Sequence, residues 1–424
     1  MNSVAQTEDL LFSILLQLIV MILAARLMNT VARKLGQPGV VGEIVAGLML
    51  GPSLLGHFFP HLSQLLFGGA PSAITLISQI GLIFLMFQIG MDFEYAHLSD
   101  AQNARGVLRV AFASIVVPFV LGLVIGYAAA ELLVPGADPL PFSLFCGVSL
   151  AITAMPVLGR IMREFGLSST EMGVVAISAA AINDVVGWLL LAGITTYTTA
   201  RFSGEHVLWQ LVGLALFVIL MRYTVRPFVG WLVRRRAIDG GEMPSNLMAI
   251  AICLMFAAGI CTYKLGIFAI FGGFAAGMLF QRYPSFVDAW RRQVGQFVMV
   301  FFLPVFFTYT GLRTDITGLA TASAFAWLGA FMAAGILGKI LPVYLAGKLS
   351  GFDWRQSLLL GALMNTRGLM ELIVLNVGFD LGVLPRQVFT MLVIMALVTN
   401  IMTGPVLRVL LPRMGHAVPK GIEA

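Results

Sequence analysis

Long apolar runs, each of helix length and set apart by short polar breaks, fill the chain from residue 9 to residue 411. Runs of about 20 apolar residues containing Gly and Pro predict membrane-crossing helices, whereas barrel strands would alternate with period two over roughly ten residues. The pattern therefore predicts an all-α polytopic membrane protein with about thirteen transmembrane helices. Their expected extents are 9–32, 38–56, 72–91, 106–132, 141–163, 170–199, 205–233, 245–263, 266–281, 294–312, 319–348, 355–378 and 386–411. On this reading residues 1–424 form a single transmembrane domain.

The runs also resemble one another. Gly42-Glu-Ile-Val-Ala-Gly47-Leu-Met aligns with Gly272-Gly-Phe-Ala-Ala-Gly277-Met-Leu, and Ser143-Leu-Phe-Cys-Gly147 with Ser357-Leu-Leu-Leu-Gly361. Span 2 thus pairs with span 9, and span 5 with span 12. Because that offset is an odd number of spans, the halves 8–200 and 245–412 are expected to be inverted-topology repeats. Segment 201–244, with span 7, would link them, and 413–424 would be a short cytoplasmic tail. Inverted repeats place their substrate site near the midplane, between discontinuous helices that cross. Spans 5 and 12 carry the expected breaks. One holds Thr153-Ala-Met-Pro156, where the proline removes a backbone donor, and the other Asn365-Thr-Arg-Gly368.

At 59% hydrophobic and 11% charged, the 424 residues hold more apolar surface than a soluble globule could hide. The net charge of +6 follows from where the basic residues sit and needs no nucleic acid to explain it. With the N-terminus outside, roughly 20 of the 26 Lys and Arg fall on the cytoplasmic side, among them Arg33, Lys34, Arg234, Arg235, Arg236, Arg291 and Arg292. Arg201, Lys264, Arg313 and Arg386 fall outside. The expected placement is a multi-pass protein of the cell (inner) membrane, N-terminus out and C-terminus cytoplasmic. The first run follows Glu8 and Asp9 and precedes Arg33 and Lys34, the reverse of a signal peptide, so it reads as a retained span. Cys146, Cys253 and Cys261 all lie in apolar runs and read as small packing residues rather than a disulfide or metal framework. No cofactor and no enzymatic chemistry is expected.

Five charged residues within the spans stand out: Glu43, Asp184, Lys339, Arg367 and Glu371. Asp184 is the most informative, because no other charge lies between Glu171 and Arg201. An acid at that depth costs several kcal/mol at least, so it is expected to carry a proton or an ion; the alternative is a buried, protonated acid that only fixes packing. Asp184, Asn183, the Thr153 hydroxyl and freed carbonyls together suit Na⁺ or K⁺, which prefer hard oxygen ligands. Lys339 or Arg367 would balance the partial charges of the half-helix ends. Arg367 and Glu371, four apart, would pair and hold the broken helix. Glu43, close behind Gln37-Pro-Gly39, would guide cations inward or cap a polar entrance. One carboxylate that swaps one H⁺ for one cation moves no net charge, which predicts 1:1 electroneutral exchange by alternating access.

These residues resemble the monovalent cation:proton antiporter-2 family. The similarity lies in Gln37-Pro-Gly-Val-Val-Gly-Glu43-Ile-Val-Ala-Gly-Leu-Met-Leu-Gly-Pro-Ser53, in Ala151-Ile-Thr-Ala-Met-Pro-Val-Leu-Gly-Arg160 and in the Asn183-Asp184 pair. Met364-Asn-Thr-Arg-Gly-Leu-Met-Glu-Leu-Ile-Val-Leu-Asn376 resembles most the plant-type cation/H⁺ exchanger branch. The resemblance implies a homodimer in which a core of spans 4–6 and 11–13 moves like an elevator against a dimerisation domain. In relatives with two adjacent aspartates, a span-11 lysine pairs with the first and transport is electrogenic. Asn183 with Lys339 resembles instead the electroneutral, potassium-handling branch, and leaves open whether Lys339 carries a proton. The chain stops soon after span 13, so gating through a cytosolic nucleotide-binding tail is not expected. Two other functions fit less well: a Na⁺-coupled organic anion symporter of the same fold, and a cation channel, which usually reads ions through symmetric rings.

Overall fold

The computed structural model of the chain describes residues 2–37, 39–68, 71–92, 104–136, 138–167, 170–199, 204–235, 242–266 and 268–414. Arg201, Arg236 and the tail from 415 onward lie outside the described residues. Every regular element among them is helical. The first half holds α1 (Asn2–Lys34), α2 (Gly39–Leu50), α3 (Leu55–Phe58), α4 (Pro60–Phe67), α5 (Pro71–Asp92), α6 (Ala104–Leu133), α7 (Pro139–Ala151), α8 (Met155–Glu164) and α9 (Glu171–Thr199). There follow α10 (Gly204–Leu220), α11 (Arg226–Arg235), α12 (Ser245–Lys264), α13 (Ala269–Phe280), α14 (Pro284–Trp290) and α15 (Leu303–Leu312). The chain closes with α16 (Ala322–Leu349), α17 (Trp354–Met364), α18 (Leu369–Asp380) and α19 (Arg386–Leu410).

Among the described residues, nine helical stretches are long and apolar enough to cross a membrane, or eleven if two bent pairs count as one span each. Helices α7 and α13 are apolar but shorter than that length, so the expected thirteen stand as nine to eleven by length alone. One bent pair, Trp354–Met364 with Leu369–Asp380, turns by 41° at the break expected in span 12. The other, Pro284–Gly295 with Val298–Leu319, turns by 45° and is not among the breaks the sequence predicts. Its physical cause is two π-type turns, Arg291–Gly295 and Val298–Phe302, which widen the helix locally.

Two compact units divide the chain. The first takes Met1–Ile22, Leu66–Glu94 and Thr195–Tyr309. In it α13 packs on α5 and α12, around stacked and edge-on rings of Phe87, Phe280, Phe286 and Trp290. The second takes Leu23–Leu65, Tyr95–Ile194 and Thr310–Ala424. There α6 packs on α7 and α16, and α16 on α17 and α19. The inward face of α6 is rich in small residues (Ala111, Ser114, Gly122, Gly126, Ala129), which lets α7 approach closely. Its outward face carries Leu108, Phe112, Val120, Val124 and Tyr127, an apolar surface suited to lipid. Cys146 is buried, whereas Cys253 and Cys261 are exposed on α12; only the first is an interior packing residue, which corrects the expectation for the other two.

The glycines of the matched segments sit where two helices touch. A Cβ on Gly42 of α2 would lie 2.1 Å from the Met28 carbonyl oxygen of α1. One on Gly272 of α13 would lie 2.2 Å from the Ala258 carbonyl oxygen of α12. Because backbone atoms cannot step aside, Gly42→Val and Gly272→Val are each expected to cost about 1–3 kcal/mol or more by overpacking. Purified in detergent, both variants should unfold at a lower temperature than wild type. Gly329→Ala, where nothing lies within 4 Å, should not; three identical melting curves would refute the account.

Candidate functional site

Two unwound segments build the site. Helix α7 stops at Ala151 and α8 starts at Met155, leaving Ile152–Ala154 without helical bonds. Pro156 falls in the first turn of α8, where its missing N–H costs no intrahelical bond, so the break lies just before it. Likewise α17 stops at Met364 and α18 starts at Leu369, with Asn365–Gly368 between them. The segments meet directly. The Ala154 N–H donates to the Thr366 carbonyl at 3.0 Å, and the Thr153 hydroxyl to the Met364 carbonyl at 2.8 Å. Gly368 permits the approach, since a Cβ there would lie 2.8 Å from Val157 Cγ2 and 3.1 Å from the Ala154 Cβ.

Helix α9 supplies the next layer. Asn183 Oδ1 accepts from the Thr153 N–H at 3.1 Å, while its Nδ2 donates to the Ala151 carbonyl and to Ser114 Oγ, both at 3.2 Å. Asp184, its neighbour, lies in electrostatic reach of the backbone N–H of Met155, the first residue of α8. Its carboxylate thus faces the positive end of that helix. Asp184 Oδ1 is buried and has no hydrogen-bond partner among the described residues. A bare carboxylate oxygen in the interior is costly, and it is where a proton or a cation would bind.

The cations face the other helix end. Lys339 Nζ donates to the Ala151 carbonyl. The Arg367 guanidinium donates to the carbonyls of Ser149 and Leu150, the latter at 3.1 Å, and to Glu371 Oε1 at 3.3 Å. Three successive carbonyls at the end of α7 therefore receive positively charged donors, where the helix leaves its carbonyls unpaired and its dipole negative. Lys339, Arg367 and Glu371 are fully buried. Glu43 has a different setting: buried in α2, it accepts from Asn29 Nδ2 of α1 at 2.7 Å, with Arg26 and Arg33 in electrostatic reach.

The structure thus brings together Thr153, Asn183, Asp184, Lys339, Arg367, Glu371 and the break residues. Sequence reasoning passed over two partners, Ser114 of α6 and Asn400 of α19, whose Oδ1 accepts from the Arg367 N–H at 3.0 Å. Their signal was weak, because a lone small polar residue in an apolar span commonly bonds its own helix; Ser114 Oγ also donates to Ala111 O at 2.9 Å.

Residues 19–413 match the family model described as sodium/hydrogen exchanger, transmembrane. The chain belongs to that family. It is 36% identical over 410 residues to the Na⁺/H⁺ antiporter NhaS4 of Synechocystis, covering 96% of this chain and 99% of the relative. It is 36% identical over 398 residues to cation/H⁺ antiporter 17 of Arabidopsis thaliana, covering 94% of this chain and 48% of that one. The K⁺/H⁺ antiporter 1 of Saccharomyces cerevisiae is 28% identical, with 94% of this chain and 46% of the relative covered. The chain thus spans about half the length of the plant and yeast relatives. Among solved structures, the sodium proton antiporter MjNhaP1 of Methanocaldococcus jannaschii superposes with a TM-score of 0.55. At 16% identity, with 94% of this chain and 96% of that one covered, the likeness is one of fold.

Removing one member of a buried ion pair strands the other charge, which costs about 3–5 kcal/mol, whereas removing both costs less. Arg367→Met should therefore lower the unfolding midpoint in detergent more than the double variant Arg367→Met/Glu371→Leu. A double variant at least as unstable as the single one would show that the pair is not what Arg367 is needed for.

Proposed function

We propose that the chain is a secondary transporter that exchanges a monovalent cation, K⁺ before Na⁺, for H⁺ by elevator-type alternating access. The observation that carries the proposal is the unpartnered Asp184 Oδ1 at the head of α8, beside an unwound segment rich in oxygen. The relatives, named as antiporters of Na⁺, K⁺ or unspecified cations, support the reaction class and leave the ion to the site. Asn183 beside Asp184 favours K⁺, through the resemblance already described. Thr153 and Asn183 support the ion, and Lys339 and Arg367 balance the end of α7. Every one of these residues falls in the second compact unit, as a carrier that moves with its cargo requires.

Charge counting gives the stoichiometry. With Asp184, Glu371, Lys339 and Arg367 all ionised, the cluster is neutral. One proton or one monovalent cation then adds the same single charge, so exchange moves no net charge and ignores the membrane potential. In this reading α7–α8 and α17–α18 are each one interrupted span. The halves 8–200 and 245–412 are inverted repeats joined by 201–244, giving thirteen spans with the N-terminus outside and a homodimeric assembly. The paired glycine contacts support the repeat. Gly311 of α15 abuts Ile44 and Gly47 of α2, just as Gly90 of α5 abuts Phe274 and Gly277 of α13. Glu43 lines the cytoplasmic approach.

The test is purified protein in sealed liposomes with an interior pH dye and K⁺, Na⁺, Li⁺ or Rb⁺ added outside. Wild type should alkalinise the interior in response to its cation, with or without a clamped potential, and Asp184→Asn should not. A potential-dependent flux would assign proton carriage to Lys339, and no proton movement with any cation would overturn antiport. Proton and cation compete for one carboxylate, so on the acid side the apparent KM for the cation should rise about tenfold per pH unit lowered. A KM flat with pH would mean that the two ligands do not share a site.

A further inference from the structure

The second unwound segment is pinned in the same way as the first. Thr153 and Arg367 each stand two residues before the helix that follows, α8 or α18. At both, the backbone N–H donates to the side-chain oxygen of a buried asparagine. Asn183 of α9 accepts from Thr153 at 3.1 Å, and Asn400 of α19 accepts from Arg367 at 3.0 Å. The flanks differ. Asn183 is followed by Asp184, the ion carrier proposed above, whereas Asn400 is followed by Ile401, an exposed apolar residue.

What Asn400 holds is therefore not an ion but a backbone. That backbone carries the guanidinium that caps Ser149 and Leu150 at the end of α7. The adjacent peptide, at Thr366, accepts from the Ala154 N–H in the first break. One side-chain oxygen thus fixes both the origin of the cation that balances α7 and the carbonyl that braces the segment beside Asp184. Without it the Arg367 N–H would be stranded in an interior with no water to replace the bond. The segment would shift to satisfy it, and the contacts at Ala154 and Ser149 would shift too.

We propose that Asn400 is a positioning residue for ion exchange, holding the second unwound segment through the Arg367 N–H so that the Asp184 site keeps its geometry. This rests on the exchange reading of Asp184. A residue needed only for folding would leave the transport parameters of the folded fraction unchanged, and this one should not. Asn400→Leu removes the acceptor at similar volume, and Asn400→Asp keeps an acceptor in the same place.

In the liposome assay, with K⁺ and Na⁺ as probes, Asn400→Leu should raise the cation KM about tenfold, as expected for one hydrogen bond to a buried group, and displace the pH profile. Asn400→Asp should stay within about threefold of wild type, since the acceptor survives. Amide hydrogen exchange of residues 365–369 gives a second readout that needs no transport: faster in Asn400→Leu or Asn400→Ala, protected in wild type and Asn400→Asp. A Leu variant with wild-type KM and pH profile would overturn the proposal, as would unchanged amide exchange, or equal losses in Leu and Asp variants. A wild type that moves no protons with any cation would overturn the exchange reading instead, while the amide exchange would still report on the pin.

Discussion

A peptide group released from a helix inside hydrocarbon has no water to bond, and each one left unpaired costs several kcal/mol. Everything at the centre of this fold follows from meeting that requirement twice, in two segments that run against each other. The Ala154 N–H finds the Thr366 carbonyl, and the Thr153 hydroxyl the Met364 carbonyl. The N–H groups of Thr153 and Arg367 find asparagines from α9 and α19. Side-chain choice is then tightly constrained. Gly368 is small because Ala154 and Val157 press on it, and polar residues occur at depth in α9 and α19 because a peptide waits for each of them.

The same constraint distributes the charges. The carbonyls at the end of α7 are oriented and unpaired, so they call for cations; the amides at the head of α8 call for an anion. Arg367 reaches two carbonyls of α7, the Gly335 carbonyl of α16 and Glu371 with its planar fork, whereas Lys339, a compact ammonium on a flexible stem, takes the one at Ala151. With both cations turned to α7, Asp184 keeps one oxygen bare. On the proposed exchange, a rigid salt bridge at Asp184 would fill the place that the transported cation takes. Held at a distance, Lys339 still lends its charge to the site without closing it.

Much of this could be read in the chain. Charges inside apolar runs announce themselves, which is why Asp184, Lys339, Arg367 and Glu371 were legible. Proline after Met155 and the Asn-Thr-Arg-Gly stretch after Met364 marked the breaks. Other features left no trace of that kind. A helix that is apolar all round does not say which side meets protein and which meets lipid, so the exposure of Cys253 and Cys261 could not be read from their neighbours. The bend between α14 and α15 comes from π-type turns that no residue pattern announces. Asn400 looked like one polar residue among many near the end of a long helix; its role depends on a backbone amide 33 residues away in the chain.

The two segments share a way of holding their backbones but not their side chains, and on the proposed exchange that difference is what makes the reaction single-valued. Where the first break has Thr153 and Asp184, the second has Arg367 and Ile401. Only the asparagine of the first break is followed by an acid, so one carboxylate is available to carry an ion. An arginine at 367 cannot release its proton, so it fixes one positive charge in the place where the first break offers a ligand. Pairing the backbones gives two matched helix breaks. Differing side chains leave one of them to carry the ion and the other to hold the countercharge, so a single carboxylate sets the ratio of one cation to one proton.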